Sequence, residues 1–594
     1  MTVWTRKSGE LASASARDFE RLALPLLRAF WPALIHPREL SGLDRAGIDL
    51  VIWSDSGEFP VVVQCKGLYQ EETLVSAQLP QIRKSIESFR RSRFKCQTYL
   101  LLHNRTGEDR IAHKEILELL NELVQAGKAT NAELWDRQTF LKNVKLQLKG
   151  EIANRIVKRA KALIESNKRF FRFGGIHVDP VPLTFERWRF RQAGDIEREL
   201  TEPEKLSPSQ VLGTKKRTKW TLLIGHFGLG KSTFALHAAT SVSDKLVYVH
   251  SSELLDKYGG VGTNHLMQEV LRSHPLFDEV DDVAASEFNR LGGTLLRELL
   301  SNPKEQFALV IDGLDESARY SSAQGLIQLT NELEELSCPK VLVTRKEHFE
   351  ATFGNFKAAL SEMTLDDLSV KGGAKRQARI CCLEEWTDIE VVGFLTKCYQ
   401  CAEESEKAHI QSLIDAIKEN AFEETLGSLV RHPLFLQMIV SVASEGHSIP
   451  EHPATLIESW VHLKIRRDIQ SGRPVPWQIV DIDAFVEEII KVMEDVALEL
   501  VDMVEGAIEL REDISGEKLY SILSKREHSG VDPSGLVNVS LLVPAGRRQG
   551  KDLRLKFYHR VLQEYFLARQ WRLGQPESEI PQEVSYWITS FGEV

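Results

Sequence analysis

The stretch that most constrains this chain is Trp220-Thr-Leu-Leu-Ile224, then Gly225-His226-Phe227-Gly228-Leu229-Gly230-Lys231-Ser232-Thr233, then Phe234 to Thr240. A short apolar run, a glycine-rich turn and a helix-like segment follow one another with the spacing G-x-x-x-x-G-K-S. Glycines at 225, 228 and 230 let the backbone turn its N–H groups inward around phosphate oxygens, where a Cβ would collide or force an unfavourable φ. Lys231 is then expected to reach the β- and γ-phosphates of ATP, or the β-phosphate of ADP, with the Ser232 hydroxyl on Mg²⁺. An accidental glycine-rich βα turn is the alternative. The strand, the helix and the Lys-Ser pair all in register argue against it.

At 594 residues the chain is too long for one core. Its 42% hydrophobic and 27% charged content is that of an ordinary soluble globular protein. A net charge of −10 supplies no bulk positive field, so any hold on DNA must come from local patches. Seven scattered cysteines make no disulfide framework and suit a reducing cytosol. Met1 to Lys7 has no apolar leader and no run approaches a membrane span, so a cytoplasmic chain with no membrane partner is expected.

Toward the N-terminus, Ala16 to Phe30 has helical apolar spacing, with Pro25 a candidate kink. Ile48 to Trp53 and Phe59 to Lys66 read as strands joined by the turn Ser54-Asp-Ser-Gly57. Alternation places Gln64 and Lys66 on one face of their strand, so the adjacent strand can bring Asp49 to the same point. A carboxylate oxygen of Asp49 and an oxygen near Gln64 and Cys65 could hold one hard divalent cation. Lys66 could orient an attacking water or stabilise charge on a scissile phosphate. The helix expected over Gln78–Lys95 carries Arg83, Lys84, Arg90, Arg91 and Arg93; it could track a phosphate backbone or be a solvated face. Tyr99–His103 and Ala132–Trp135 complete a small α/β sheet.

Gly47-Ile-Asp49-Leu50 with Val63-Gln64-Cys65-Lys66 resembles the PD-(D/E)xK nuclease superfamily, and within it the Mrr-like restriction endonucleases. The resemblance implies a restriction-endonuclease-like domain over residues 1–145 that cleaves DNA, with Asp49, Gln64 and Lys66 catalytic and Asp49 and Gln64 on Mg²⁺. It also matches Glu20 to the acidic residue that the family often carries on its first helix, which makes Glu20 a further catalytic residue expected to contribute to the metal site. Gln64 stands where most of the superfamily has an acid, which lowers the ligand charge.

Residues 146–215 read as a linker: a connecting helix over Leu146–Phe171, strand-like fragments among prolines, then the basic run Gly213–Lys219. Beyond the glycine loop, Lys245–Val249 reads as a buried strand and residues 266–301 as two helices. Phe307-Ala-Leu-Val-Ile-Asp312-Gly-Leu-Asp315-Glu316 is an apolar run delivering carboxylates at its end. Asp312 is expected to hold Mg²⁺ through water, and Asp315 or Glu316 to polarise the water that attacks the γ-phosphate. Lys340–Thr344 is a further buried strand, ending at Arg345 where a guanidinium can sense that phosphate.

Asp312 to Glu316 followed by Val343-Thr-Arg345 resembles the NACHT ATPases of the STAND class. Arg431-His432-Pro433-Leu-Phe-Leu is similar to the N-P-L-x-L segment of their helical domain, with His432 in place of asparagine; the resemblance puts Pro433 beside the adenine. Phe557-Tyr-His559 through Gln563-Glu564-Tyr565 resembles their winged-helix signature, and the resemblance puts His559 on the ADP phosphates. It implies a NACHT core at 216–380, a helical domain at 381–505, and a winged helix with a short tail at 506–594. Cys398-Tyr-Gln-Cys401 lacks a second ligand pair and reads as ordinary helix cysteines. No internal repeat is found, so the expected sensor is short, supplied by a partner, or outside this stretch.

The expected architecture is therefore an α/β multidomain chain. The resemblances imply a nucleotide-switched antiphage protein: ADP holds it closed, and ATP-dependent homo-oligomer assembly activates the DNA endonuclease upon a phage-derived or host trigger. The alternatives are an ATP-controlled scaffold that grips DNA without cutting, and a restriction motor, for which the second motor lobe is missing.

Overall fold

The computed structural model describes residues 3–37, 46–54, 56, 58–68, 72–170, 172–173, 176, 181–190, 196–200, 204–207, 220–226, 228–251, 254, 263–273, 282–316, 320, 323–352, 378–422, 426–470, 481–504, 507–511, 513–525, 536, 541–544 and 554–574. The chain is α/β and divides into two compact units, Met1–Arg155 with Asn264–Leu299, and Ile156–Thr263 with Leu300–Val594. No described helix is long and apolar enough to cross a membrane.

The first unit opens with helices α1 (Val3–Ser13) and α2 (Ala16–Leu27). Ser15 caps α2 by accepting from the Asp18 amide at 3.2 Å, and Pro25 is accommodated in its last turn. Strands β1 (Leu50–Val51), β2 (Glu58–Lys66), β3 (Lys95–His103) and β4 (Ala129–Trp135) form one sheet in that order. The β1–β2 pair is antiparallel, with Leu50 opposite Val63; β2–β3 and β3–β4 are parallel. The parallel steps need crossover helices, α3 (Leu79–Arg91) and α4 (Arg110–Gln125), whose apolar faces bury Ile82, Ile86, Phe89, Ile116 and Leu120 against Phe59, Val62 and Tyr99. The helices Thr263–Ser273 and Asp282–Ser301, expected within the ATPase core, belong largely to this unit. Buried Lys7 on α1 is tied to Glu287 on the second of them at 2.7 Å. Helix α5 (Arg137–Phe170) begins in the first unit and ends in the second.

The second unit is built on a sheet of β5 (Val181–Phe190), β6 (Ile196–Leu200), β7 (Glu204–Leu206), β8 (Trp220–Gly225), β9 (Lys245–His250), β10 (Phe307–Asp312), β11 (Lys340–Val343) and β12 (Ala378–Leu383). Its order is β6-β5-β12-β8-β11-β10-β9, with β7 on β5. From β12 to β9 every pairing is parallel, which explains the near-continuous apolar runs; all six residues of β10 are buried. The stretch expected as a linker is thus partly sheet: β5 joins β12 antiparallel, Leu183 opposite Leu383. The run Gly213–Lys219 lies outside the described residues.

Beyond β12, helices Asp388–Cys401, Glu404–Lys418, Pro433–Ser444, Pro453–Gln470 and Ile482–Glu499 pack together. They are followed by the hairpin β13 (Val501–Val504) and β14 (Ala507–Leu510), then by β15 (Asp513–Ser515), β16 (Leu542–Pro544) and β17 (Arg554–Phe557) in the order β15-β17-β16. Helices Gly516–Lys525 and Arg560–Gly574 complete this small α/β element. One hydrophobic core runs through both regions, from Trp386 and Phe394 through Trp460 and Ile490 to Leu562 and Phe566. None of the seven cysteines forms a disulfide, and only Cys401 is exposed.

Candidate functional sites

In the first unit, the antiparallel register sets Asp49 beside Gln64, and Asp49 Oδ2 accepts from Gln64 Nε2 at 3.0 Å and from the Cys65 backbone amide at 2.7 Å. Gln64 is buried, and its Oε1 accepts from the buried Tyr99 hydroxyl at 3.1 Å. Tyr99, Gln64, Asp49 and the Cys65 amide thus form one hydrogen-bonded chain. Glu20 is paired with His36 at 3.1 Å. Burial pushes the Cys65 thiol well up, and the charges of Asp49 and Glu20 push the same way while Lys66 opposes them. All three charged groups therefore lie within electrostatic reach of Cys65.

The cation expected here finds an incomplete set of ligands. Gln64 turns its amide nitrogen to Asp49 and its oxygen to Tyr99, which takes one of that oxygen's two lone pairs. Asp49 Oδ2 already accepts two N–H groups, and among the described residues no group of three or more His, Cys, Asp or Glu side chains is arranged to hold a metal ion. Gln64 in this arrangement positions Asp49. The basic α3 face is likewise engaged: Arg83 pairs with Glu115 and Arg90 with Glu122, both on α4, and Arg91 with Glu87 at 3.1 Å. One cluster was not anticipated. His103, opposite Lys66 in the ladder, is 2.7 Å from Glu108, whose other oxygen is 3.0 Å from His113.

In the second unit, β8 ends at Gly225, where an added Cβ would stand 3.1 Å from Leu383 Cβ on β12. Gly228 and Gly230 have φ of +77° and +80°, the left-handed region that a side chain strains. Gly230 caps the helix Lys231–Val242, and the Phe234 amide donates to its carbonyl at 2.8 Å. Lys231 Nζ folds back onto the His226 carbonyl at 2.8 Å. Leu229 is buried beneath the loop, Ser232 is exposed at the helix start and Thr233 is half-buried. A tight loop with positive-φ glycines and a lysine at a helix N-terminus fits a phosphate chain by shape and charge.

Four other segments meet around this loop. His432 caps the helix Pro433–Ser444; its Nδ1 would be 3.4 Å from a Cβ on Gly228, and its Nε2 pairs with Glu385 at 3.1 Å. The Leu434 amide donates to the Gly228 carbonyl at 3.2 Å, and Pro433 Cβ would be 4.0 Å from a Cβ on Gly230. Asp312 ends β10 with its Oδ2 accepting from Tyr248 on β9 at 2.5 Å. Asp315 accepts from the Arg345 amide at 3.1 Å and pairs with the Arg345 Nε at 3.0 Å. Burial opposes ionisation of Asp315, but the Arg345 and Lys231 charges outweigh it and hold its carboxyl below the usual range. The same two cations act on His559: burial first, then Arg345 and Lys231, lower it from 6.5 to about 3.

Of the anticipated residues, Gly225, His226, Gly228, Gly230, Lys231, Asp315, Arg345, Pro433 and His559 are linked by these contacts and charges. Phe227 and the Glu316 side chain lie outside the described residues. Tyr248, Glu385 and Glu564 were not anticipated as site residues. Glu564 stood within the quoted Gln-Glu signature, but its partner Arg345 is remote in sequence.

No family model matches the chain, and no curated protein matches it. Among solved structures, the chain is similar to the Orc1 protein of Aeropyrum pernix in complex with DNA, at 13% identity and a TM-score of 0.27, over 61% of this chain and 89% of that one. It is also similar to Cdc6p from Pyrobaculum aerophilum, at 14% identity and a TM-score of 0.25, over 64% and 92% of the two chains. Likenesses this low bear on neither site.

Proposed function

We propose that the second unit is a nucleotide-controlled ATPase of NACHT type, carried by one observation: the glycine loop is met by His432-Pro433, by the Asp315–Arg345 pair, and by His559 within range of Lys231. Lys231 and the loop amides bind and orient the phosphates, and Ser232 and Asp312 would hold Mg²⁺, which would supply charge neutralisation at the phosphate oxygens. Asp315, buried beside Arg345, is the acceptor for the attacking water's proton once that guanidinium turns to the nucleotide. Contacts from His432 and Leu434 tie the loop to the helical region, and the Lys231 charge acts on His559 in the C-terminal region, so the bound nucleotide can bias whether they stay closed.

The first unit is a nuclease of Mrr type in this account, a reading favoured by Asp49, Glu20 and Lys66 acting on one point at the end of β2. Nucleotide-driven homo-oligomer assembly would switch on cleavage of DNA in response to phage infection, in the cytoplasm. Plasmid cleavage with Mg²⁺, with and without ATP, and with lysate from phage-infected cells as activator, tests both parts. Loss of cutting in both Asp49→Ala and Lys231→Ala supports a nucleotide-gated nuclease. Loss in Asp49→Ala alone removes the gate, and no cutting in wild type favours a DNA-gripping scaffold.

A further inference from the structure

Arg345, the guanidinium placed to meet a terminal phosphate, is held by two carboxylates. Asp315 Oδ2 lies 3.0 Å from its Nε, and Glu564 Oε1 lies 3.9 Å from its Nη1. Glu564 belongs to the last described helix, Arg560–Gly574, and is only 7% exposed. The same oxygen is 3.1 Å from Arg560 Nε, so the carboxylate is braced from its own helix while it faces Arg345. Lys231 acts electrostatically on both Asp315 and His559, which places this cluster within range of the phosphate loop.

We infer that Glu564 stands in for the terminal phosphate of a triphosphate, and so makes the closed second unit select diphosphate over triphosphate nucleotides. This rests on the reading of the glycine loop as a nucleotide site. A nucleotide ending at its β-phosphate leaves the Arg345–Glu564 contact in place. One carrying a γ-phosphate brings further negative charge toward a guanidinium already shared by two carboxylates, and must repel or displace Glu564. That carboxylate is nearly buried, where charge is weakly screened, so the discrimination does not depend on dilute buffer. Displacing Glu564 would also detach the helix Arg560–Gly574 from Arg345, which links nucleotide choice to opening of the C-terminal region.

The test is binding of ADP and of the non-hydrolysable β,γ-imido analogue of ATP to the intact, nucleotide-free chain, followed with fluorescent nucleotides. Wild type should prefer ADP, and Glu564→Gln should tighten the analogue about 10-fold while leaving ADP within about twofold. Glu564→Asp keeps the charge and should retain the wild-type preference. An unchanged ratio in a Glu564→Gln protein that melts cooperatively would overturn the inference. So would an equal shift in Glu564→Asp, because lost packing rather than lost charge would then be responsible. Wild type that binds neither nucleotide sinks the nucleotide-site reading itself, and the inference with it.

Discussion

Tyr248 donates a 2.5 Å hydrogen bond to Asp312 Oδ2 across two neighbouring parallel strands, and both side chains are buried. The bond engages one carboxylate oxygen and, on the proposed reading, leaves the other to face Mg²⁺. A hydrogen bond from a neutral donor to a buried carboxylate is worth ~1.5–3 kcal/mol. Tyr248→Phe should therefore lower stability by about that range and raise the Mg²⁺ concentration for half-maximal ATP hydrolysis roughly 10-fold. A metal titration of hydrolysis, read beside a denaturant melt, checks both. An unchanged metal requirement would mean that Asp312 needs no such support.

His559 sets a pH dependence. In the unfolded chain it takes up a proton near its ordinary 6.5, whereas in the folded protein it does so only near 3. Its depressed value contributes stability that is complete above 6.5 and is lost as pH falls toward 3. At pH 5 the loss is about 2 kcal/mol from this one group. Asp315, also depressed, loses its contribution only below its ordinary 3.8, outside that range. The Tm of wild type should fall between neutral pH and pH 5, and His559→Gln should flatten much of that fall. Parallel curves for the two proteins would contradict it.

Gln64 tests what the first site is built to hold. Gln64→Glu would set a second carboxylate about 3 Å from Asp49, where two negative charges cannot both persist. Without metal this variant should be ~1–3 kcal/mol less stable than wild type at pH 8, and added Mg²⁺ should recover much of the loss. Differential scanning fluorimetry with and without Mg²⁺ reads this directly. If Mg²⁺ leaves the variant unmoved, no cation sits between these strands.

Salt-bridged arginines on α3 should contribute little to any hold on DNA. Their charges are answered by Glu115 and Glu122, and solvent screens exposed pairs of this kind strongly. Arg83→Ala with Arg90→Ala should leave DNA affinity within about twofold across a salt series. A marked drop, with a shallower salt slope, would put this face on the phosphate backbone.

The local pattern made much of both sites legible. Apolar runs announced β8, β10 and β11, and glycine spacing announced the loop, because buried parallel strands and positive-φ turns leave few residue choices. The β1–β2 pairing that joins Asp49 to Gln64 could be read from alternation and a turn. What stayed hidden depends on contacts between remote segments. Neither the Tyr99 hydroxyl on Gln64 nor the Glu564 carboxylate near Arg345 has a local signature, since each residue is an ordinary member of its own strand or helix. The fragments at 181–206 read only as strand-like pieces of a linker, because the partner that makes them sheet, β12, lies far along the chain. The pairing of α3 with α4 shows why a charge run on one helix says little until the facing helix is known.

Every role proposed for the second unit depends on nucleotide binding by the Gly225–Thr233 loop. Equilibrium binding of ADP and ATP with Mg²⁺ to the intact chain, wild type against Lys231→Ala, tests it most directly. The account predicts saturable one-site binding by wild type, weakened roughly 100-fold when the Lys231 charge is removed. Equal binding by both proteins, or none by wild type, would contradict it.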